Sequence, residues 1–136
     1  MKLDHIGIAV GSIEEALKTY QSLGFHVEDI VTIPEQKVRL AILPIGESRI
    51  ELLEPTGANS VIRKFLERKG QGIHHLCFEV ENLEQRVNEL KQTSILILDQ
   101  VPCQGYGNRK VAFLHPKTTH GVLIELVEEG SAGSSL

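Results

Sequence analysis

The chain has little cysteine, no excess of basic charge and no long apolar run, and each absence removes a class of function. Cys77 and Cys103 are its two cysteines in 136 residues. They stand at no metal-type spacing and make no disulfide framework, so both are expected to be plain thiols, with Cys77 partly buried. A net charge of −4 argues against nucleic-acid binding, which wants a basic surface. No apolar run approaches membrane-spanning length, and the N-terminus lacks the charged, apolar and small-residue order of a signal peptide. A soluble, cytoplasmic protein with no nucleic-acid or membrane partner is the expectation. At 41% hydrophobic, the chain is long enough for one compact domain and too short for two independent ones.

What is present is a repeat. Gly72-Ile73-His74-His75-Leu76-Cys77-Phe78-Glu79-Val80 reads as a strand, with Leu76, Phe78 and Val80 alternating against Ile73, His75, Cys77 and Glu79. Asp4-His5-Ile6-Gly7-Ile8-Ala9-Val10 shows the same alternation, with His5 and His75 in equivalent positions at an offset of 70. After each strand a capping side chain stands three residues ahead of Glu or Gln, Ser12 before Glu15 and Asn82 before Gln85, the pattern of a reciprocal helix start. Apolar residues then recur at helical spacing: Ile13, Ala16, Leu17 and Tyr20, and Leu83, Val87 and Leu90. Near the end of each half, Arg49-Ile50-Glu51-Leu52-Leu53-Glu54 is echoed by Leu123-Ile124-Glu125-Leu126-Val127-Glu128 at an offset of 74. Each half supplies one His and one Glu.

The remaining elements fill in a doubled βαβββ order. In the first half, strands are expected over 3–10, 25–33, 36–43 and 48–53, with a helix from Ser12 to about Leu23 closed by Gly24. A short helix over 60–69 and Gly70-Gln71-Gly72 form the linker. In the second half, strands are expected over 73–80, 95–101, 109–114 and 121–127, with a helix from Asn82 to about Gln92. Residues 102–108 form a candidate lid or binding loop, and the small, polar tail over 130–136 is expected to be disordered.

Ile50 and Leu52, like Val122, Ile124 and Leu126, form apolar rows that belong under the helices. Glu51 and Glu125 then fall on the opposite face of the sheet, with His5 and His75. Two such units side by side would curl into a common trough, with these four side chains inside. Two imidazoles and two carboxylates make a mixed N/O set suited to a divalent Co, Mn, Ni, Fe or Zn ion. Four protein ligands leave coordination positions open, as catalysis requires. His74 points to the other face and is assigned a structural role; Glu79 is expected at the trough rim. Glu54 and Glu128 are expected to be solvated strand ends. Arg109, Lys110 and Lys117 are either contacts for a phosphate or carboxylate, or ordinary solvated cations.

These motifs, together with Pro34-Glu35-Gln36-Lys37-Val38, Gly72-Ile73-His74-His75, and His115-Pro116-Lys117 followed by His120-Gly121-Val122-Leu123-Ile124-Glu125-Leu126, resemble the methylmalonyl-CoA epimerases of the vicinal oxygen chelate (glyoxalase/bleomycin resistance) superfamily. The resemblance covers residues 3–128. It implies an α+β fold: one domain of two βαβββ modules, about 3–55 and 73–128, related by a pseudo-twofold, with a cup-shaped mixed sheet and helices outside. It implies the metal ligands His5, Glu51, His75 and Glu125, an acyl-CoA substrate met by Gln36, Arg109 and Lys117, and a homodimer. The implied reaction interconverts (2R)- and (2S)-methylmalonyl-CoA by 1,1-proton transfer through a metal-stabilised enolate, with Glu125 and Glu51 as acid and base. Some epimerases carry Gln at the position of Glu51 and a second catalytic Glu one strand earlier, where this chain has Leu40. Glu51 also completes the ligand set of glyoxalase I, a lyase acting on a glutathione hemithioacetal, which is the nearest alternative. A metal-free drug-sequestering module of the same fold is a further one.

Overall fold

A computed structural model of the protein describes residues 1–98, 103–104 and 109–130. The βαβββ order occurs twice. The first copy comprises β1 (Lys2–Ala9), α1 (Ile13–Ser22), β2 (Asp29–Ile33), β3 (Val38–Ile45) and β4 (Ser48–Pro55), and is followed by α2 (Val61–Lys69). The second comprises β5 (Gly72–Val80), α3 (Leu83–Leu90), β6 (Cys103–Gln104), β7 (Lys110–Leu114) and β8 (Ile124–Glu128). As compact units, the chain divides into His5–His74 and into Met1–Asp4 with His75–Leu136. The linker helix thus counts with the first unit, and the first residues of β1 with the second.

Strand order repeats as well. In the first copy it runs β2-β3-β4-β1, and in the second β6-β7-β8-β5. The first strand of each copy lies parallel to the last, β1 with β4 and β5 with β8, while the other pairings within each copy are antiparallel. Parallel neighbours need a long crossover, and the intervening helix and hairpins supply it.

α1 and α3 each cover the apolar face of the strands of their own copy. Ile13, Val10, Ala41, Leu43, Ile50 and Leu52 make one buried cluster, joined by Ile6, Ile8, Ala16, Leu17 and Tyr20. Val80, Leu83, Val87, Ala112, Leu114 and Leu126 make the other, joined by Phe78, Leu90 and Ile124. Ile13 and Leu83, the first residues of α1 and α3, are fully buried, worth about 1.5–3 kcal/mol apiece.

The starts of α1 and α3 are each capped twice. Ser12 Oγ accepts from Glu15 N (3.2 Å) and Asn82 Oδ1 from Gln85 N (3.0 Å). Glu54 and Glu128, expected to be solvated, instead accept from the first helical amides: Ile13 N to Glu54 Oε1 (2.9 Å) and Leu83 N to Glu128 Oε1 (3.2 Å). Each Glu stands three residues beyond Glu51 or Glu125, and three steps along a strand reverse the face. Arg39 bridges Glu54 (3.4 Å) to Glu14 (2.8 Å) in the first turn of α1. Hydrogen bonding from Arg39 holds the Glu14 carboxyl below its ordinary value.

Several strands are shorter than the sequence suggests. The strand expected from Phe25 begins at Asp29, because Phe25 and Val27 are spent on the cluster beneath α1, where Phe25 meets Tyr20 edge-on at 5.6 Å. The strand expected from Gly121 begins at Ile124. A 3-10 turn at Pro116–Thr118 leads into His120 and Gly121, both with positive φ, and Thr119 Oγ1 donates to the Val122 carbonyl. Val122 is consequently exposed rather than part of the apolar row. Of the strand expected over 95–101, Ile97 bridges to Leu114 and Leu98 N donates to Phe113 O (2.8 Å), and residues 99–101 lie outside the described residues. The expected lid over 102–108, apart from the short β6, and the tail beyond Gly130 lie outside the described residues.

Replacing Glu54 or Glu128 by Ala is expected to lower the free energy of unfolding in urea by about 1 kcal/mol each, the ordinary size of a lost helix cap. The Glu14–Arg39 contribution is present above the ordinary carboxylate pKa and lost as pH falls through the lowered value. Arg39→Met should therefore flatten the acid limb of the stability profile.

Candidate active site

Parallel pairing brings an imidazole beside a carboxylate in each copy. In β1–β4 the register sets Gly7 opposite Glu51, and in β5–β8 it sets Cys77 opposite Glu125. His5 and His75 each lie one pleat before those positions, on the same face as the Glu. In the first copy, His5 Nδ1 lies 3.4 Å from Glu51 Oε2. In the second, His75 Nε2 lies 3.1 Å from Glu125 Oε1. All four residues are buried, with 4–7% of their surface exposed.

The surroundings of the two pairs differ. Glu51 is gripped by Arg49, whose Nε and Nη2 both donate to Oε2, at 2.9 and 2.7 Å. Arg49 Nη2 also stands 3.5 Å from His5 Nδ1. At the position equivalent to Arg49 the second copy has Leu123. There, the floor beside the pair is apolar: Cys77, Val111 and Val127 are buried together with Phe113 packed against them, and Phe113 meets His75 edge-on at 6.2 Å. Leu40 is buried in β3 and shares the Glu51 face of the sheet by alternation with Ile42, the register partner of Glu51.

The other candidates are placed as follows. Gln36 sits in the 3-10 turn Pro34–Gln36 and Lys117 in the turn Pro116–Thr118, and both are exposed. Arg109 does not stand out as a surface cation. It is 7% exposed, with Nη1 on Asp4 Oδ1 (2.7 Å) and Nη2 on Glu79 Oε2 (2.8 Å). A guanidinium held at both ends by carboxylates is a structural clamp, and a phosphate would have to compete with both. Glu79 is part of that clamp. His74 packs edge-on against Phe65 at 4.9 Å, the structural role expected of it. Sequence reading missed Arg49 and Asp4 as partners. Charge adjacent to a repeated motif was the available signal for both.

As donors, two imidazole nitrogens and two carboxylates fit a divalent ion of intermediate hardness. Each imidazole is already steered by a carboxylate, and burial strengthens any charge interaction made there.

The sequence over residues 4–113 matches the family model for the glyoxalase/bleomycin resistance protein/dioxygenase superfamily. The chain belongs to that superfamily. Among its relatives, it is 42% identical to an uncharacterized protein of Bacillus subtilis (strain 168), over 93% of this chain and 91% of that one. It is 39% identical to the mitochondrial methylmalonyl-CoA epimerase of Homo sapiens, over 92% of this chain and 72% of that one. Among solved structures, it resembles a variant of the Streptomyces coelicolor methylmalonyl-CoA epimerase in complex with 2-nitronate-propionyl-CoA. The TM-score is 0.91 at 34% identity, covering 98% of this chain and 97% of that one. The doubled βαβββ order read from the repeat is the fold of this superfamily.

Removal of the Arg109 charge, in Arg109→Met, is expected to destabilise the protein by about 3 kcal/mol, since it takes away the guanidinium that pairs with both Asp4 and Glu79. Urea unfolding measures the loss. The triple variant Asp4→Leu, Glu79→Leu and Arg109→Met should recover most of it.

Proposed function

We propose that the protein is a methylmalonyl-CoA epimerase, inverting the carbon that lies between the thioester carbonyl and the free carboxylate of an acyl-CoA. The observation that carries this reading is the twofold recurrence of a buried His–Glu pair, His5 with Glu51 and His75 with Glu125, in a chain so similar to epimerases along nearly its whole length.

In this reading the four side chains together hold one divalent ion. When bound, that ion supplies a Lewis acid for the thioester oxygen, lowering the cost of the negative charge that develops there. The rest is the work of this chain's residues. Glu125 takes the proton from the carbon on one side, and the electron pair of the C–H bond passes into the enolate. Glu51, from the other copy of the repeat, returns a proton to the opposite side. With Arg49 on Oε2, Oε1 is the Glu51 oxygen left to carry that proton. Each inversion exchanges which carboxyl is protonated, and that state is the one required for the reverse epimer. The apolar floor of Cys77, Val111, Phe113 and Val127 keeps water from the Glu125 side. Exposed Gln36 and Lys117 are proposed to meet the CoA portion, Lys117 as a point charge for phosphate. A homodimer in the cytoplasm completes the proposal.

The test is inversion and solvent-deuterium incorporation with (2R)- and (2S)-methylmalonyl-CoA. Native protein should invert both, and Glu51→Ala and Glu125→Ala should each lose roughly a hundredfold or more in rate, as expected for general acid–base groups. Turnover of methylglyoxal with glutathione, and none of methylmalonyl-CoA, would instead make the protein a glyoxalase I. Stripping divalent ions with a chelator should abolish inversion, and His5→Ala and His75→Ala should each weaken cobalt binding in calorimetric titration.

A further inference from the structure

We infer that Phe113 is the specificity-determining residue for the alkyl substituent on the reacting carbon, its ring setting the largest group the site takes. The inference rests on the epimerase reading above and names the substrate range of that same site. Phe113 stands between Ala112 and Leu114, which are both buried in the cluster beneath α3, so by alternation its side chain leaves β7 on the opposite face. There it is the register partner of Glu125, and the Cβ atoms of such cross-strand partners stand about 4.5–5.5 Å apart. Its ring also meets His75 edge-on, at 6.2 Å and 83°, while His75 Nε2 lies 3.1 Å from Glu125 Oε1. The ring therefore borders both the acid–base group and the imidazole of this copy.

Packing fixes the ring and leaves part of it open. In the small cluster against which it packs, Cys77 is 0% exposed and Val111 and Val127 are each 2% exposed, whereas Phe113 itself is half-buried. It is the member of that cluster with surface left for a ligand. The residue opposite Glu51 in the first copy is Ile42, which is fully buried. Of the two apolar side chains set across from the acid–base groups, only Phe113 has surface to offer.

The chemistry of the reacting carbon says what that surface meets. The carbon bears a hydrogen, a thioester carbonyl, a carboxylate and one alkyl group. In the epimerase reading the hydrogen is handled by Glu125 and Glu51, and the thioester oxygen goes to the ion. The alkyl group is the substituent that wants an apolar neighbour. For Glu125 to take the proton, the carbon must come within about 3 Å of its carboxylate, which brings the alkyl group within contact of the ring across the strand. A ring backed by close-packed, buried neighbours cannot retreat to admit a longer chain.

The test is kcat/KM for inversion, followed by solvent-deuterium incorporation, with methylmalonyl-CoA, ethylmalonyl-CoA and propylmalonyl-CoA. Native protein should lose roughly tenfold for each added methylene, the discrimination that an apolar wall provides. In Phe113→Leu the penalty on the ethyl group should narrow severalfold, and in Phe113→Ala the penalties on ethyl and propyl should each narrow roughly tenfold. Methylmalonyl-CoA should turn over more slowly in both variants, because its short substituent loses the wall. A purely structural role would lower all three substrates alike and leave their ratios at the native value. Phe113 offers no lone pair, so cobalt titrated calorimetrically into metal-stripped protein should bind with the same stoichiometry in native protein and both variants.

Native ratios among the three substrates in both variants, or equal turnover of all three by native protein, would overturn the inference while leaving the epimerase reading intact. Loss of cobalt binding in Phe113→Leu would overturn it too, showing that the ring holds His75 rather than faces the substrate. A native protein that inverts none of the three would overturn the epimerase reading and this inference together.

Discussion

Parallel pairing between the first and last strand of each βαβββ copy is the constraint on which the rest depends. Parallel strands have one register that buries their apolar rows under the helix, and a slip by one residue would turn every side chain to the wrong face. In that register the other face receives His5 with Glu51, or His75 with Glu125. The same strands serve both sides. Glu51 points to one face, and Glu54, three residues on, reaches the first amide of α1 on the other. β8 repeats this with Glu125 and Glu128. Packing of the helix and placement of the chemistry are thus coupled through a single strand, so neither can shift without the other.

Divergence between the copies is as informative as their likeness. The donor pairs have been kept, while the groups around them have not. Arg49 and Gly7 accompany the first pair, Leu123 and Cys77 the second. A reaction that inverts a carbon centre needs two proton-handling groups on opposite sides, and it uses each in alternating protonation states. In the proposed reading, duplication provides the two groups. Arg49 stands against Glu51 in the first copy, and Phe113 meets His75 beside an apolar cluster in the second.

Much of the positive charge near the repeat is structural. Arg39 ties Glu54 to the first turn of α1, and Arg109 ties Asp4 to Glu79 at depth. A buried guanidinium between two carboxylates contributes little net stability against an apolar replacement, but a great deal against the loss of one partner. It also holds the start of β1 in place, one residue before His5.

The sequence by itself determined the repeat, the doubled βαβββ order and the face of the sheet on which His5, Glu51, His75 and Glu125 stand, because alternation, helical spacing and caps are local patterns that survive without tertiary context. Those patterns were strongest where a strand has one apolar and one polar face, as in β1 and β8. They failed at Phe25 and Val27, whose strand-like alternation is spent beneath α1, and at Val122, where consecutive left-handed residues delay the strand. They also misjudged Glu54 and Glu128, which look like solvated charges until their partners are known, and left Arg109 open between a ligand contact and a solvated cation. Ion pairs and caps between residues far apart in the chain depend on where strands arrive in space. No local pattern encodes that, and only the tertiary structure decided that Glu54 caps a helix, that Arg109 is buried, and that Arg49 takes hold of Glu51.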